Sequence, residues 1–350
     1  MEMTFDTALD RVIDTSHPLD LAVLNGLSNA RKPDVARFAA AWPTIPIERR
    51  REVMKALGAL GMESFEVEFT PLYGTALTDP DATVRASAVN NLWESEGEEF
   101  IPPFLHLLTT DEDVEVRAAA ATGLGKYMFL AEMEELDEEP AERVREALLA
   151  TIRSKTEAEL VRRRAVEAIS FLDGDEVRAI IEDAYNDPSE EMQASAVFAM
   201  GRNLDPYWSG TVLLELQNAN PRIRQQAAWA SGELELKQAV PLLAALLDDK
   251  DREVLLNTVH ALGQIGGPVA QRALELVADS DDEELAETAT DALDELIFQG
   301  GDADWLEVDF NAAALGEDEG DEFLQDDEDG EEDEFDILWK NRDDIDIGRD

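Results

Sequence analysis

Four stretches of the sequence, spaced 31 residues apart, repeat one pattern: DPSEEMQASAVFAMG at 187–201, NANPRIRQQAAWASG at 218–232, DKDREVLLNTVHALG at 249–263 and SDDEELAETATDALD at 280–294. Each begins with a residue that forms turns or caps helices. A large apolar residue follows five positions later, and a glycine where a helix is expected to stop ends the first three. That glycine predicts a left-handed helix C-cap. A fixed period of this length indicates one supersecondary unit that stacks into a solenoid, because no unit buries its apolar face alone.

The repeating unit is predicted to be two helices. Before each turn the sequence carries an apolar residue and, in most units, a second one four positions later, so the two share one helix face. After the turn, small and apolar residues recur at helical spacing, as in Val254, Thr258, Val259 and Leu262. Because every periodic segment has the helical period, the sequence predicts an all-α fold.

The same frame continues toward the N-terminus, in Asp79-Pro80…Val84-Arg85…Leu92, in Asp113…Val116-Arg117…Leu124-Gly125 and in Val161-Arg162…Ala165…Ile169. With these residues the chain resembles the HEAT-repeat family of armadillo-type α-solenoids, in its short bacterial, phycobilin-lyase-like form. The resemblance covers roughly residues 46–299 and implies an α-α superhelix. The frame is specific for this fold and nearly silent about function.

Three regions are predicted. Residues 1–45 form an N-terminal helical cap that shields the first repeat. Residues 46–299 form the HEAT-repeat solenoid of about eight helix pairs, and residues 300–350 form an acidic, largely disordered tail. Residues 126–150 interrupt the period. Two interpretations stay open there: an insertion on a working face, or the plainer expectation of a longer, solvated loop between helices.

Composition excludes several classes of function. The sequence has no cysteine, which removes disulfides, thiolate catalysis and zinc–thiolate sites. Its net charge is −51, a field that opposes nucleic-acid binding. No signal peptide and no apolar run of membrane-spanning length is apparent, so a cytoplasmic protein without a membrane partner is expected. The body is acidic and lysine-poor, a pattern that reflects either a saline habitat or a binding role.

The histidines do not form a recognisable catalytic or metal-binding set. His17, His106 and His260 are far apart and are followed by proline, leucine and alanine. Deoxyhypusine hydroxylase, a catalytic HEAT-repeat relative, uses repeated His-Glu pairs for its di-iron site, and this sequence has none. We therefore expect no catalytic residue, no metal, no cofactor and no enzymatic activity. The alternative is an accessory or enzymatic role of the lyase or hydroxylase class. His106 is expected to be packed in an apolar helix.

The Val-Arg arginines are predicted to form a structural ladder. In the HEAT-repeat family this arginine commonly pairs with acidic groups of the neighbouring repeat. Arg85, Arg117, Arg162 and Arg224 occupy the position, whereas Gln193, Leu255 and Ala286 depart from it.

The candidate partner-binding residues lie on the second helix of each unit, which generally lines the concave face in this family. The positions facing away from the core predict an aromatic groove with a basic edge, suited to an extended peptide with apolar and acidic residues. The opposing interpretation is a tight superhelix that buries these rings. The groove residues are Phe198, Trp229, His260, Leu256 and Gln225, with Arg163 and Arg164 as the basic edge.

The tail carries a second apolar motif among its acidic residues: Phe335, Ile337, Leu338 and Trp339. Such a motif is typical either of a segment that folds on a partner or of a solubilising tail. One hypothesis is that this motif docks intramolecularly in the groove and competes with the true partner, an unknown protein or peptide.

Overall fold

The computed structural model describes residues 3–296, and over that range the chain consists of helices joined by turns and short loops, with no β-strand. The prediction of an all-α fold is therefore confirmed for these residues. The chain divides into two compact units between Asn203 and Leu204, and each is described by itself. The predicted limits of the N-terminal cap and of the solenoid stay predictions.

The first unit is built from helices in which, from α4 onward, the second helix of one repeat alternates with the first helix of the next: α1 (Phe5–Ile13), α2 (Leu21–Leu27), α3 (Lys32–Ala41), α4 (Ile47–Glu63), α5 (Thr70–Ala76), α6 (Ala82–Asn91), α7 (Ile101–Thr110), α8 (Val114–Glu132), α9 (Glu138–Arg153), α10 (Glu159–Ile169), α11 (Asp175–Tyr185) and α12 (Glu190–Asn203). Helices α4, α6, α8, α10 and α12 pack side by side in that order, and α5, α7, α9 and α11 each pack on the helix that follows.

The core of the first unit is formed by the periodic apolar positions. Val84, Val116 and Val161 are fully buried, and Met192 is 3% exposed. Each such side chain contributes about 1.5–3 kcal/mol when it leaves water. The N-terminal helices add Val12, Leu27 and Phe38 to the buried residues, and α2 and α3 pack on α4 and α5.

The second unit has the same alternation: α13 (Ser209–Glu215), α14 (Pro221–Glu233), α15 (Val240–Leu246), α16 (Arg252–Ile265) and α17 (Pro268–Ala278), and residues 283–296 are again helical. Helices α14 and α16 pack against each other, and the anchors Ile223, Val254 and Leu285 are buried. No helix of residues 3–296 is long and apolar enough to cross a membrane.

The turns before the second helices use two polar residues in succession. In the second unit, Asp249 accepts a hydrogen bond from the backbone N–H of Asp251, and the Asp251 side chain then accepts from Glu253 and Val254. Asp79 with Asp81 and Asp111 with Asp113 repeat the arrangement. The recurring residue at the start of each stretch is therefore a turn former, and the helix N-cap lies two residues later.

The recurring glycine does not form the predicted C-cap. Gly201, Gly232 and Gly263 lie inside the last turns of α12, α14 and α16, and none has a positive φ. The left-handed residue comes three positions later, at Leu204, Glu235 and Gly266. A Cβ on Gly232 would lie 3.0 Å from the Cα of Ala261, and one on Gly263 would lie 2.9 Å from the Cβ of Ala292. The periodic glycine thus allows neighbouring helices to approach closely.

The insertion after Gly125 is mostly helix. Helix α8 continues to Glu132, giving 19 residues, and the non-helical connection to α9 is confined to 133–137. The expectation of a longer solvated loop was wrong, because Tyr127, Met128 and Leu130 are buried and extend the packed face of the helix.

Candidate partner-binding surface

The predicted arginine ladder forms at three of its four positions. Arg85 donates two hydrogen bonds to the Asp111 carboxylate, at 2.7 and 2.8 Å, and a third to the carbonyl of Asp79. Arg224 makes the equivalent contacts with Asp249 and with the carbonyl of Asn218. Each arginine thus joins its own turn to the acidic turn of the next repeat.

The ladder changes the acidity of its carboxylates. Burial alone would raise the pKa of Asp111, but the hydrogen bonds from Arg85 and from the backbone of Asp113 outweigh it, so the pKa is lowered. The pKa of Glu157, which Arg117 holds at 2.8 Å, is lowered in the same way. These carboxylates are held in the ionised form by structural contacts.

Arg162 departs from the ladder prediction. No salt bridge of Arg162 is found among the described residues, and its Nε is buried without a hydrogen-bond partner there. In the following repeat Gln193 occupies the ladder position and donates to the carbonyl of Asp187 at 2.8 Å. The glutamine thus makes the same contact as the arginines: a hydrogen bond to the carbonyl six residues earlier, in its own turn.

A continuous aromatic row lies on the first unit, around the predicted residue Phe198. The guanidinium of Arg202 lies 4.3 Å from the Phe198 ring centroid and 4.5 Å from that of Phe171. Phe171 in turn makes an edge contact with Phe129, with centroids 5.5 Å apart. We call Phe129, Phe171, Arg202 and Phe198 the aromatic row. A guanidinium stacked between two rings is a cation–π arrangement.

Three helices position the aromatic row. Phe129 lies on the extended part of α8, Phe171 lies in the turn two residues after the end of α10, and the other two residues are one turn apart on α12. Arg202 also donates to the carbonyl of Glu167 at 3.1 Å, which ties α12 to α10. Phe129 is 45% exposed, while Phe171 and Phe198 are half-buried. The row therefore offers ring surface to solvent on a rigid support.

The two predicted basic residues of this unit are engaged within it. Arg163 is 11% exposed; it pairs with Glu191 at 2.7 Å and donates to Ser195 Oγ at 2.9 Å. Arg164 pairs with Glu167 at 2.6 Å and is more exposed. Arg163 therefore connects α10 to α12, and of the predicted basic edge Arg164 keeps the more exposed side chain.

The second unit carries the other predicted residues on α14 and α16. Gln225, Trp229 and Leu256 are half-buried, and His260 is exposed. The two helices are in close contact, since Gly232 lies against Ala261 and Gln264 donates to Glu233 at 3.0 Å. Each unit thus holds a partly exposed group of the predicted residues. The rings of Phe198 and Trp229 are neither fully buried nor fully exposed to solvent.

Phe171, Arg202 and Phe129 were missed by sequence reasoning. Arg202 follows Phe198 by four residues on one helix, a spacing that places both side chains on one face. This signal was available in the sequence. The contact of Phe129 with Phe171 depends on the helical insertion and was not readable from the repeat period.

The histidines of residues 3–296 do not come together at one site in either unit. Within this range no group of three or more His, Asp and Glu side chains is arranged to hold a metal ion. His106 is exposed, so the expectation that it is packed was wrong: it lies on the outer face of α7, where Thr110 contacts it. The tail motif Phe335, Ile337, Leu338 and Trp339 lies outside the described residues.

Comparison with known proteins places the chain in a family. The model of HEAT repeats matches residues 70–153, 101–201 and 211–294, which together span more than half of the sequence. The chain belongs to the HEAT-repeat family. No curated protein matches the sequence.

Several solved structures resemble the chain at low identity. The complex of CpcE and CpcF of phycocyanin lyase from a Nostoc species is 18% identical, with 77% of this chain and 96% of that chain covered and a TM-score of 0.47. Human deoxyhypusine hydroxylase is 20% identical, with coverages of 75% and 96% and a TM-score of 0.35. The Escherichia coli protein YibA is 17% identical, with coverages of 68% and 95% and a TM-score of 0.39.

Proposed function

We propose that this HEAT-repeat protein is a non-enzymatic scaffold that binds a protein partner through the aromatic row of its first unit. The observation that carries the proposal is Arg202, stacked between Phe171 and Phe198 while Phe129 extends the same row into solvent. Aromatic residues and arginine are the side chains most enriched at the energetic centres of protein interfaces.

The row is held in place before any partner arrives, which favours binding. Ring stacking and the bond to the Glu167 carbonyl fix Arg202, and the edge contact with Phe171 restrains Phe129. Side chains fixed in this way lose less conformational entropy on association. A partner segment with apolar side chains would pack on the rings, and its carboxylates would approach Arg202 and Arg164.

The predicted residues of the second unit are proposed as a further contact area. Trp229 and Leu256 offer part of their apolar surface on α14 and α16, and Gln225 and His260 add polar groups. A contact of this kind suits the same extended segment or a separate one. Its contribution is measured independently, by Trp229→Ala.

The experiment is site-specific photo-crosslinking in the cells that make the protein. Benzoylphenylalanine is introduced at position 129, the exposed end of the aromatic row, and at position 21 on α2 as the control, since Leu21 is also an exposed apolar residue. A protein crosslinked from position 129 and not from position 21 is identified and purified. Its affinity is then measured against the unaltered chain and against Arg202→Ala and Phe171→Ala.

Each result decides the proposal. We expect both variants to weaken binding of the purified partner by tenfold or more, which corresponds to about 1.4 kcal/mol or more for each interface anchor. Arg178→Ala, on the neighbouring helix α11, serves as an arginine control outside the row. If Arg202→Ala and Phe171→Ala bind as tightly as the unaltered chain, the aromatic row is not the interface.

The same affinity measurement tests the tail hypothesis. If the tail motif competes with the partner, the double variant Phe335→Ala with Trp339→Ala should bind the partner more tightly than the unaltered chain.

A further inference from the structure

A separate cavity lies in the first unit, away from the aromatic row. Its volume is about 210 Å³, and its walls come from α4, the start of α5, the end of α6 and the turn that follows α6. Tyr73 and Trp93 provide aromatic rings, and Glu68 and Glu94 provide carboxylates. Neither the predicted groove nor the arginine ladder uses these four residues.

Two glycines on α4 shape the floor of the cavity. A Cβ on Gly58 would lie 2.3 Å from the Oδ1 of Asn91, and a Cβ on Gly61 would lie 3.4 Å from the Tyr73 hydroxyl. Asn91 is oriented by the hydrogen bond that its Nδ2 donates to the carbonyl of Met54, at 2.8 Å. The glycines thus leave room for a fixed amide oxygen and a phenol group among the lining atoms.

The volume indicates the size of the occupant. Pockets for cofactors and drug-sized ligands occupy about 300–1,000 Å³, so 210 Å³ is too small for most of them. It is also too small to admit a helix, which is about 10 Å across with its side chains. A single long side chain from a partner segment is the occupant of matching size.

The lining indicates the chemistry of that side chain. Trp93 is 58% exposed and Met62 is 73% exposed, so apolar surface stands at the mouth. The face of a tryptophan ring attracts ammonium and guanidinium groups, and Trp93 provides the exposed ring of this lining, since Tyr73 is 5% exposed. Glu68 and Glu94 are exposed carboxylates in the same lining. An aliphatic stem ending in a positive charge satisfies both kinds of surface.

The surrounding charge selects the same occupant. Residues 60–100 contain nine acidic residues, and the basic residue of this range is Arg85. Asp79 and Asp81 pair with Arg50 and Arg51 of α4, and the other seven acidic residues are glutamates. Arg85 is held by Asp111 and does not compensate the carboxylates of the cavity. The glutamates at this cavity therefore favour a positively charged side chain here.

We propose that the cavity lined by Tyr73, Trp93, Glu68 and Glu94 is a binding site for one lysine or arginine side chain of a basic partner segment. The aliphatic stem packs on Trp93 and Met62. The cationic group meets the two carboxylates and the Asn91 amide oxygen. This site is independent of the aromatic row, so its test does not depend on the proposed function.

The test uses the full-length protein labelled with 5-fluorotryptophan, which gives six fluorine signals for the six tryptophans. The Trp93 signal is assigned with Trp93→Phe. The probes are N-acetyl-lysine N-methylamide and its neutral counterpart N-acetyl-norleucine N-methylamide, titrated in 0.1 M NaCl. We expect the lysine probe to shift the Trp93 signal saturably and the norleucine probe to bind several-fold more weakly.

Two matched double variants distinguish the effect of the cavity carboxylates on the affinity for the lysine probe from the effect of the overall negative charge of the chain. Glu68→Gln with Glu94→Gln removes the two lining carboxylates and is expected to weaken the lysine probe about two- to five-fold for each. Glu63→Gln with Glu66→Gln removes the same charge from exposed neighbours that do not line the cavity, and is expected to leave the affinity nearly unchanged. Equal weakening by both doubles, equal binding of both probes, or a Trp93 shift that does not saturate overturns the proposal.

Discussion

Arg50 and Asp79 form an ion pair inside the first unit, with Arg50 Nη1 2.5 Å from Asp79 Oδ2 and side-chain exposures of 6% and 0%. The same oxygen accepts a hydrogen bond from Trp42 Nε1 at 2.7 Å, and Asp79 Oδ1 accepts from the backbone of Asp81. One buried carboxylate thus joins the end of α3, the start of α4 and the turn before α6.

Removal of Arg50 should be strongly destabilising, because it leaves a buried carboxylate without its cation. Arg50→Ala is expected to lower the free energy of unfolding by about 3–5 kcal/mol. The neighbouring Arg51 is the matched control: it also pairs with an aspartate, Asp81, but is 46% exposed. Arg51→Ala should cost less than about 1 kcal/mol. Urea unfolding measures both, and similar losses for the two variants would contradict the assignment of Asp79 as a buried charge.

The arginine ladder predicts a pH-dependent contribution to stability. The pKa of Asp111 is lowered in the folded chain, so its ion pair with Arg85 stabilises the fold above the ordinary carboxylate pKa near 4. That contribution is lost as the pH falls through the lower folded pKa. Asp111→Asn should therefore destabilise the protein at pH 7, and this effect should decrease as the pH falls below about 4.

Comparing the unaltered chain with Asp111→Asn isolates the contribution of the Asp111 charge to stability, because the many other carboxylates titrate alike in both proteins. The free energy of unfolding is measured for the unaltered chain and for Asp111→Asn at each pH. A difference that stays constant from pH 7 to pH 3 would show that the Asp111 charge does not contribute to stability.

Two glycine-to-alanine substitutions in the second unit are expected to change the free energy of unfolding in opposite directions. At Gly232 an alanine would press against the Ala261 backbone, at 3.0 Å, and overpacking of this kind costs about 1–3 kcal/mol. Gly210, in the first turn of α13, has nothing within 4 Å of an added Cβ. Gly210→Ala is expected to stabilise the unit by about 0.4–1 kcal/mol, because the unfolded chain loses freedom. Thermal unfolding that ranks Gly232→Ala as the more stable variant would refute the close-packing role.

The sequence predicted the helical period, the buried anchors and most of the arginine ladder, because these depend on short-range spacing that a repeat displays directly. It did not predict the function of the glycine. A glycine near a helix end is typical of a C-cap, and only the distance between Gly232 and Ala261 shows that close packing is the reason. The left-handed residue is the non-glycine Glu235, which carries no such signal.

The candidate site was predictable only in part. Phe198 was identified from its position on the second helix, but its neighbours Phe171 and Phe129 come from a turn and from an insertion outside the period. Arg163 occupies the predicted face, yet Glu191 and Ser195 of the next repeat engage it. Residue type and helical phase therefore indicate exposure, whereas contacts between repeats decide which side chains are available.

The net charge of −51 gives the last prediction. Residues 1–300 alone carry −32, so mutual repulsion of carboxylates acts against folding at low ionic strength. The Debye length falls from about 10 Å at 0.1 M salt to about 3 Å at 1 M. If the acidity is an adaptation to a saline habitat, the free energy of unfolding rises steeply between 0.05 and 2 M NaCl. Exposed pairs such as Arg51–Asp81 weaken over the same range, and Arg51→Ala should therefore show the steeper rise. A stability that is equal in dilute buffer and in 2 M NaCl excludes the habitat explanation and leaves the acidity as a feature of partner recognition.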